Sequence, residues 1–272
     1  MKKILFALDG NHFSKGAFDF ILQINAKSSV QVVGVFLPSF IDRTVWAIPS
    51  RDELFFAQEL LDEEDQIIQQ NMQHFSDCCN EHKLAYSLHK PENYSAIKDL
   101  QLESRYADLL IIGHQTYYSK SNLSYVNNEL RDTVRHVECP VLLVPERYNF
   151  PDNIVVAYDG SAASVHAIKM FSYIFPELKH LSVAICYADA KSDNIPNLEH
   201  IKELAKSHFS NITYTNLKLD PEKYFATWMA TYSSSILVAG ALSRSGLSEF
   251  FHESFVVGIL EQCSIPVFIA HK

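Results

Sequence analysis

Two stretches of this chain end an apolar run in Asp-Gly: KKILFALDG, Lys2–Gly10, and DNIVVAYDG, Asp152–Gly160. An aspartate there can hold a ligand through hydrogen bonds that its carboxylate accepts, and Asp-Gly is equally ordinary chemistry for a turn that leaves a strand. A second constellation is SSILVAGALSRSGLSEFFHES, Ser234–Ser254. Its apolar run Ile236–Ala239 closes on Gly240, and small, hydroxylated or basic side chains follow, among them Ser243, Arg244, Ser245, Gly246 and Ser248. An apolar helical pattern then runs through Phe250, Phe251, Phe255 and Ile259. A loop of that kind at a helix start offers free backbone N–H groups and the positive end of a dipole to an anion such as phosphate. A simple helix cap would use the same residue types.

Other chemistries lack their residues. Twelve histidines include no HxxxH or HExxH pair on an expected helix, and the closest regular spacings, His74 to His82 and His200 to His208, exceed two turns, so no metal site is expected. Neither Asp-Gly site has the acidic neighbours that would hold magnesium for an aspartyl phosphate. There is no G-x-S-x-G elbow, and His252 and Ser254, two apart on a helix, do not face each other. No catalytic residues are assigned and the chain is not read as an enzyme, slow ATP turnover without a dedicated base being left open. Five cysteines without a CxxC pair indicate neither a disulfide framework nor a zinc ribbon, and Cys78 and Cys79 are expected as one buried and one half-buried thiol on a helix. A reducing cytoplasm fits that usage.

The elements that must position these residues alternate. Strands at Lys3–Leu8, Val30–Leu37, Leu84–His89, Ala107–Gly113 and Pro140–Val144 are separated by helices at about 14–25, 52–82, 93–106 and 126–136, which specifies a parallel sheet with helices on both faces. After Pro151 the pattern restarts. ADLLIIGH at Ala107 answers SSILVAGA at Ser234, and ECPVLLVP at Glu138 answers SIPVFIAH at Ser264. The offset falls from 150 residues between Asp9 and Asp159 to 126 between Pro140 and Pro266. The first copy therefore carries about two dozen extra residues between its second and third strands. Two domains are expected, 1–146 with an insert at Pro38–Phe56 and 151–272, joined by a linker at Glu146–Phe150. The insert's Phe40, Ile41, Val45, Trp46, Ile48, Phe55 and Phe56 could cover the first site, meet a partner subunit, or simply cover an edge of their own domain. Apolar content of 47% gives a proper core, while a net charge of -9 argues against a nucleic-acid or anionic-membrane surface. No apolar stretch is long enough for a membrane span, and the run at Ile4–Leu8 is too short for a signal-peptide core.

Twice over, a strand ending in Asp-Gly, a hydrophobic fourth strand ending in Gly and a final C-P-V or I-P-V strand resemble the universal stress proteins in their tandem form. The resemblance covers nearly the whole chain. It implies two tandem open five-stranded parallel sheets, Rossmann-like and of the adenine nucleotide alpha hydrolase type, related by a pseudo-two-fold axis and paired through Val141–Val144 and Val267–Ala270. It further implies a stress-response binding or signalling role with an adenine nucleotide, ATP or AMP, and magnesium as a companion. In the second copy Asp159 would meet adenine or ribose, Cys186 would offer backbone to the base, and Gly240, Ser243, Arg244, Ser245 and Ser254 would surround phosphate. The family loop G-x2-G-x9-G-[ST] is degraded here, reading Gly240, Ser243, Glu253 and Ser254, and Glu253 places a carboxylate near the phosphate position. The first copy reads Gly113, Thr116, Val126 and Asn127, so its set of Asp9, Val35, Gly113 and Thr116 is expected to be a degenerate site. A nucleotide-free interaction module and a pocket for a small non-nucleotide ligand are the competing readings, and a homodimer is left open.

Overall fold

The computed structural model describes residues 1–9, 13–37, 51–90, 96–113, 133, 134, 136–189, 192, 194–218, 224, 227–232, 234–240 and 264–270, with backbone only at 9, 51–64, 96 and 97. Strands β1 (Lys2–Asp9), β2 (Val30–Leu37), β3 (Ala85–His89), β4 (Leu109–Gly113) and β5 (Val141–Val144) come from the first copy. Strands β6 (Asn153–Ala157), β7 (Ser182–Ala188), β8 (Asn211–Leu217), β9 (Ser235–Gly240) and β10 (Val267–Ala270) come from the second. Helices α1 (Lys15–Lys27), α2 (Arg51–Glu81), α3 (Ala96–Ser104), α4 (Ala162–Ile174) and α5 (Leu198–His208) connect them.

The strands form one ten-stranded sheet in the order β3-β2-β1-β4-β5-β10-β9-β6-β7-β8, the second half mirroring the first. Every neighbouring pair is parallel except β5 and β10, which run antiparallel with Leu142 opposite Phe268 and Leu143 opposite Val267. The expected two five-stranded sheets are therefore present and joined edge to edge through the two segments that the sequence pointed to. The pairing removes two free sheet edges at once.

Strict alternation divides each strand between two apolar layers. Ile4, Phe6 and Leu8 face one side with Val32, Ile111, Leu142, Ile154, Val156 and Phe268, under the helices α1, α2 and α4. Leu5 and Ala7 face the other with Val33, Ile112, Val141, Val155, Leu237 and Val267, where Leu100 of α3 packs. Burial on both faces is why these strands read as unbroken apolar runs. The copies repeat their bonding in detail: Leu110 N–H donates to Pro140 O at 2.9 Å, and Leu237 N–H to Pro266 O at 3.0 Å.

Aromatic rings close the seam between the halves. Phe268 of β10 meets Phe171 and Phe175 at 5.3 and 6.0 Å between centroids, and Phe20 of α1 lies 6.3 Å from Phe175. The linker joins in through Tyr148 and Phe150, 6.0 and 5.3 Å from Phe20. Lys2 of β1 pairs with Glu177, in a short 3-10 turn after α4, at 2.5 Å. Each aromatic pair contributes on the order of 0.5–1.5 kcal/mol beyond its buried area.

Local signals explain the helix boundaries. Ser14 caps α1 by accepting the Ala17 N–H, and Glu146 at the exit of β5 accepts both the Ser14 hydroxyl and the Lys15 N–H at 2.9 Å. Cys79 is buried and Cys78 half-buried on α2, again as expected. Helix α2 takes up residues 51–56 of the expected insert; residues 38–50, the greater part of the expected helix at 126–136 and the apolar pattern from Phe250 to Ile259 lie outside the described residues.

Candidate functional site

In a doubly wound sheet the ligand crevice lies at the carboxyl ends of the strands where the connections diverge. With β1 next to β2 and β4, and β6 next to β7 and β9, this chain has two such switch points, β1/β4 and β6/β9. Register fixes what stands there. Ala7 is opposite Ile112 and Ala157 opposite Ala239, so Leu8 with Gly113 and Tyr158 with Gly240 come next, and Asp9 and Asp159 emerge one residue later at equivalent places.

The second switch point is described in most detail. Asp159, Gly160 and Ser161 make the turn from β6 into α4. Gly160 has φ +78°, a left-handed conformation suited to glycine, and a Cβ there would lie 2.8 Å from Pro196 Cβ. Asp159 Oδ1 accepts the Ser161 N–H at 2.8 Å, and Ser161 Oγ accepts the Ser164 N–H at 3.1 Å. The carboxylate thus sits at the positive end of the α4 dipole, where negative charge is favoured.

The chain after β7 folds back over this turn. The buried Tyr158 donates its hydroxyl to Pro196 O at 3.0 Å. Tyr187, beside it on β7, donates to Asp189 Oδ2 at 3.1 Å. Burial, then that hydrogen bond, and in smaller part the charges of Asp189 and Asp159 hold the Tyr187 phenol above its ordinary pKa. Ser192 O accepts Asn216 Nδ2 at 3.2 Å and the Lys218 ammonium, tying the strap to β8 and its exit. Trp228 and Tyr232, 4.8 Å apart, pack on the layer beneath β7 and β9.

The geometry around two expected site residues, Cys186 and Gly240, is specific. Cys186 pairs with Ala157, two residues short of Asp159, and its carbonyl oxygen already accepts the Tyr158 N–H at 2.9 Å. Its thiol is buried, and burial pushes it up to about 12. Cys186 is thus a core position with its carbonyl engaged in the sheet, and by register the residue level with Asp159 is Ala188, at the end of β7. Val35 holds the corresponding place in the first copy, opposite Ala7 and buried. Gly240 has a structural reason for lacking a side chain: a Cβ would lie 2.5 Å from the carbonyl carbon of Ala163 and 2.6 Å from Ser164 N, in the first turn of α4.

At the first switch point the backbone of Asp9 ends β1 opposite Leu37, and Gly113 ends β4 buried. Thr116, Ser243, Arg244, Ser245 and Ser254 lie outside the described residues, as does Glu253. The Tyr187–Asp189 pair and the Pro196 strap were not anticipated; the signal in the sequence was a tyrosine and an aspartate at a strand end followed by Asn-Ile-Pro-Asn at Asn194–Asn197. Among the described residues no group of three or more His, Cys, Asp or Glu could hold a metal ion, and no helix is long and apolar enough to cross a membrane.

With this geometry in place, known structures supply the comparison. A universal stress protein from Archaeoglobus fulgidus superposes with a TM-score of 0.73 over 100% of this chain and 96% of its own, at 14% identity. This chain has the tandem universal stress protein fold. A functionally unknown protein from Pseudomonas aeruginosa matches with a TM-score of 0.55 and 15% identity, over 100% of this chain and 92% of its own. The cytoplasmic domain of a prokaryotic cation chloride cotransporter matches with a TM-score of 0.52 and 14% identity, over 98% and 94%. No protein-family model and no curated protein matches the chain in sequence. At such identities the universal stress fold is shared while the chemistry of the crevice must be argued from its own residues.

Proposed function

We propose that this protein is a cytoplasmic stress-response binding or signalling module, built as two universal stress-like domains at 1–146 and 151–272, whose second crevice takes an adenine nucleotide such as AMP or ATP. The observation that carries this reading is Asp159: it emerges at the β6/β9 switch point beside Gly240, at the entrance of a crevice whose topology is that of a nucleotide-binding sheet. An Asp159 carboxylate oxygen would accept from ribose hydroxyls or the adenine amino group, and the end of β7 at Ala188 would offer backbone to the base. In this reading Ser243, Arg244, Ser245 and Ser254 follow Gly240 to the phosphates, with magnesium as the companion of ATP. The first crevice, with Asp9 and Gly113 but without a family-like loop at Thr116, is degenerate. No catalytic role is assigned.

A specific observation favours the competing reading, a nucleotide-free interaction module. Pro196 lies directly against Gly160, and the Tyr158 hydroxyl fastens the same strap. In that reading the crevice is filled by its own chain. Chromatography of whatever the denatured protein releases, followed by titration with AMP and ATP with and without magnesium, separates the two. Heat that disappears in Asp159→Ala and persists in Asp9→Ala supports the second-domain site; no released nucleotide and no heat leaves the interaction module.

A further inference from the structure

The turn that carries Asp159 is covered by a short piece of the chain's own backbone. Pro196 packs on it so closely that a Cβ on Gly160 would lie 2.8 Å from Pro196 Cβ and 3.2 Å from Cγ. Tyr158, buried one residue before Asp159, donates its hydroxyl to Pro196 O at 3.0 Å. Ile195 and Leu198, on either side, are half-buried against the core layer under α4. Upstream the segment is anchored: Ser192 Oγ donates to Asn194 O at 3.0 Å, and Ser192 O accepts Asn216 Nδ2 at 3.2 Å.

The closed position has a local cost at Asn197. That residue stands just before the first turn of α5 with φ +49° and ψ +38°, in the left-handed region, and its side chain makes no capping hydrogen bond. Asparagine caps a helix from extended backbone, accepting the N–H of the second or third helical residue, here Glu199 or His200. Left-handed backbone suits glycine better than asparagine. Asn197 therefore forgoes its cap while Tyr158 holds Pro196, and gains it when Pro196 lifts. One short segment trades one hydrogen bond for another, as an element with two arrangements must.

We infer that Ile195–Asn197 is a displaceable strap over the second crevice, fastened by the Tyr158 hydroxyl and released toward a capped α5 when a nucleotide enters. This regulation rests on the reading that the crevice takes an adenine nucleotide. Its consequence is that apparent affinity equals the intrinsic affinity reduced by the fraction of molecules whose strap is open.

Two substitutions move that fraction in opposite directions. Tyr158→Phe removes the fastening hydroxyl and keeps the ring; Asn197→Gly suits the left-handed backbone and removes the cap. Hydroxyl-radical footprinting of the full-length protein without ligand reads the strap itself. Oxidation of Ile195 should rise in Tyr158→Phe and fall in Asn197→Gly, while the buried Phe209, at the end of α5, stays unchanged and shows that the fold persists. Calorimetric titration with AMP should show binding about two- to tenfold tighter in Tyr158→Phe, the span of one net hydrogen bond, and weaker in Asn197→Gly. Ile195 oxidation that is the same in the parent and Tyr158→Phe would overturn the fastening. Equal AMP affinity in all three proteins would overturn the regulation and leave the nucleotide site standing, whereas no heat in any of them, Tyr158→Phe included, would remove the nucleotide reading and the regulation with it.

Discussion

Asp159 Oδ1 and the backbone N–H of Ser161 are joined by a 2.8 Å hydrogen bond, so the residue placed to meet a ligand also shapes the entry into α4. The two duties separate by substitution. Asp159→Ala removes a charged acceptor from the helix start and should lower stability by about 1–2 kcal/mol in chemical denaturation. Asp159→Asn keeps an oxygen acceptor and should cost less than half of that. Equal losses in both variants would mean that charge at the α4 dipole, rather than the hydrogen bond, is what matters there.

Gly240 should refuse even a methyl group. A Cβ would lie 2.5 Å from the carbonyl carbon of Ala163, and backbone cannot swing aside as a side chain can. Gly240→Ala should destabilise by about 1–3 kcal/mol or more. Gly34→Ala, whose added carbon would meet the Phe75 ring at 3.0 Å, should cost less. Urea denaturation of the pair tests the ranking, and a reversed order would contradict the packing of α4 on β9.

The seam between β5 and β10 should behave as one core. Phe268, fully buried against Phe171 and Phe175, supports both halves, so Phe268→Ala should cost about 3–5 kcal/mol. Lys2→Met leaves the mostly buried Glu177 carboxylate without its ammonium partner and should cost about 1–3 kcal/mol. In the parent protein, fluorescence and far-ultraviolet signals should unfold together. Two resolved transitions would show that the halves melt separately despite the shared sheet.

The buried thiols give a pH dependence of definite sign. Burial pushes Cys139 and Cys186 up to about 12, and burial with some help from Cys78 does the same to Cys79. Unfolded thiols ionise near pH 8.5, folded ones only much higher, so the stability held by the protonated thiols is full below that pH and is lost as pH climbs toward about 12. The melting temperature should fall between pH 8.5 and 10.5, less steeply once Cys139 and Cys186 are replaced by Ala and Val. A melting temperature that rises over that interval would contradict their burial.

Much of this architecture could be read in the sequence because strands buried on both faces leave unbroken apolar runs, and because the chain states its pattern twice. KKILFALDG and DNIVVAYDG lie at equivalent registers, and the expected partners Val141–Val144 and Val267–Ala270 do pair. The site was less legible. The resemblance implies a backbone contact from Cys186, while how far β7 runs, to Ala188, and the engagement of the Cys186 carbonyl by the Tyr158 N–H depend on strand pairing that the residues alone do not display. The reason for Gly240 was also hidden, because the approach of α4 to β9 is a tertiary event. The cap from Glu146 to α1 spans more than a hundred residues, and no local pattern announces it.

The measurement that bears most directly on the proposed function is calorimetric titration of the full-length protein, emptied of bound small molecules, with AMP and with magnesium ATP. Binding of one equivalent per chain, lost in Asp159→Ala and retained in Asp9→Ala, is the predicted result. An absence of heat at millimolar nucleotide, in a protein that also releases none when denatured, would contradict it and leave the strap at Ser192–Asn197 as the natural filling of the crevice.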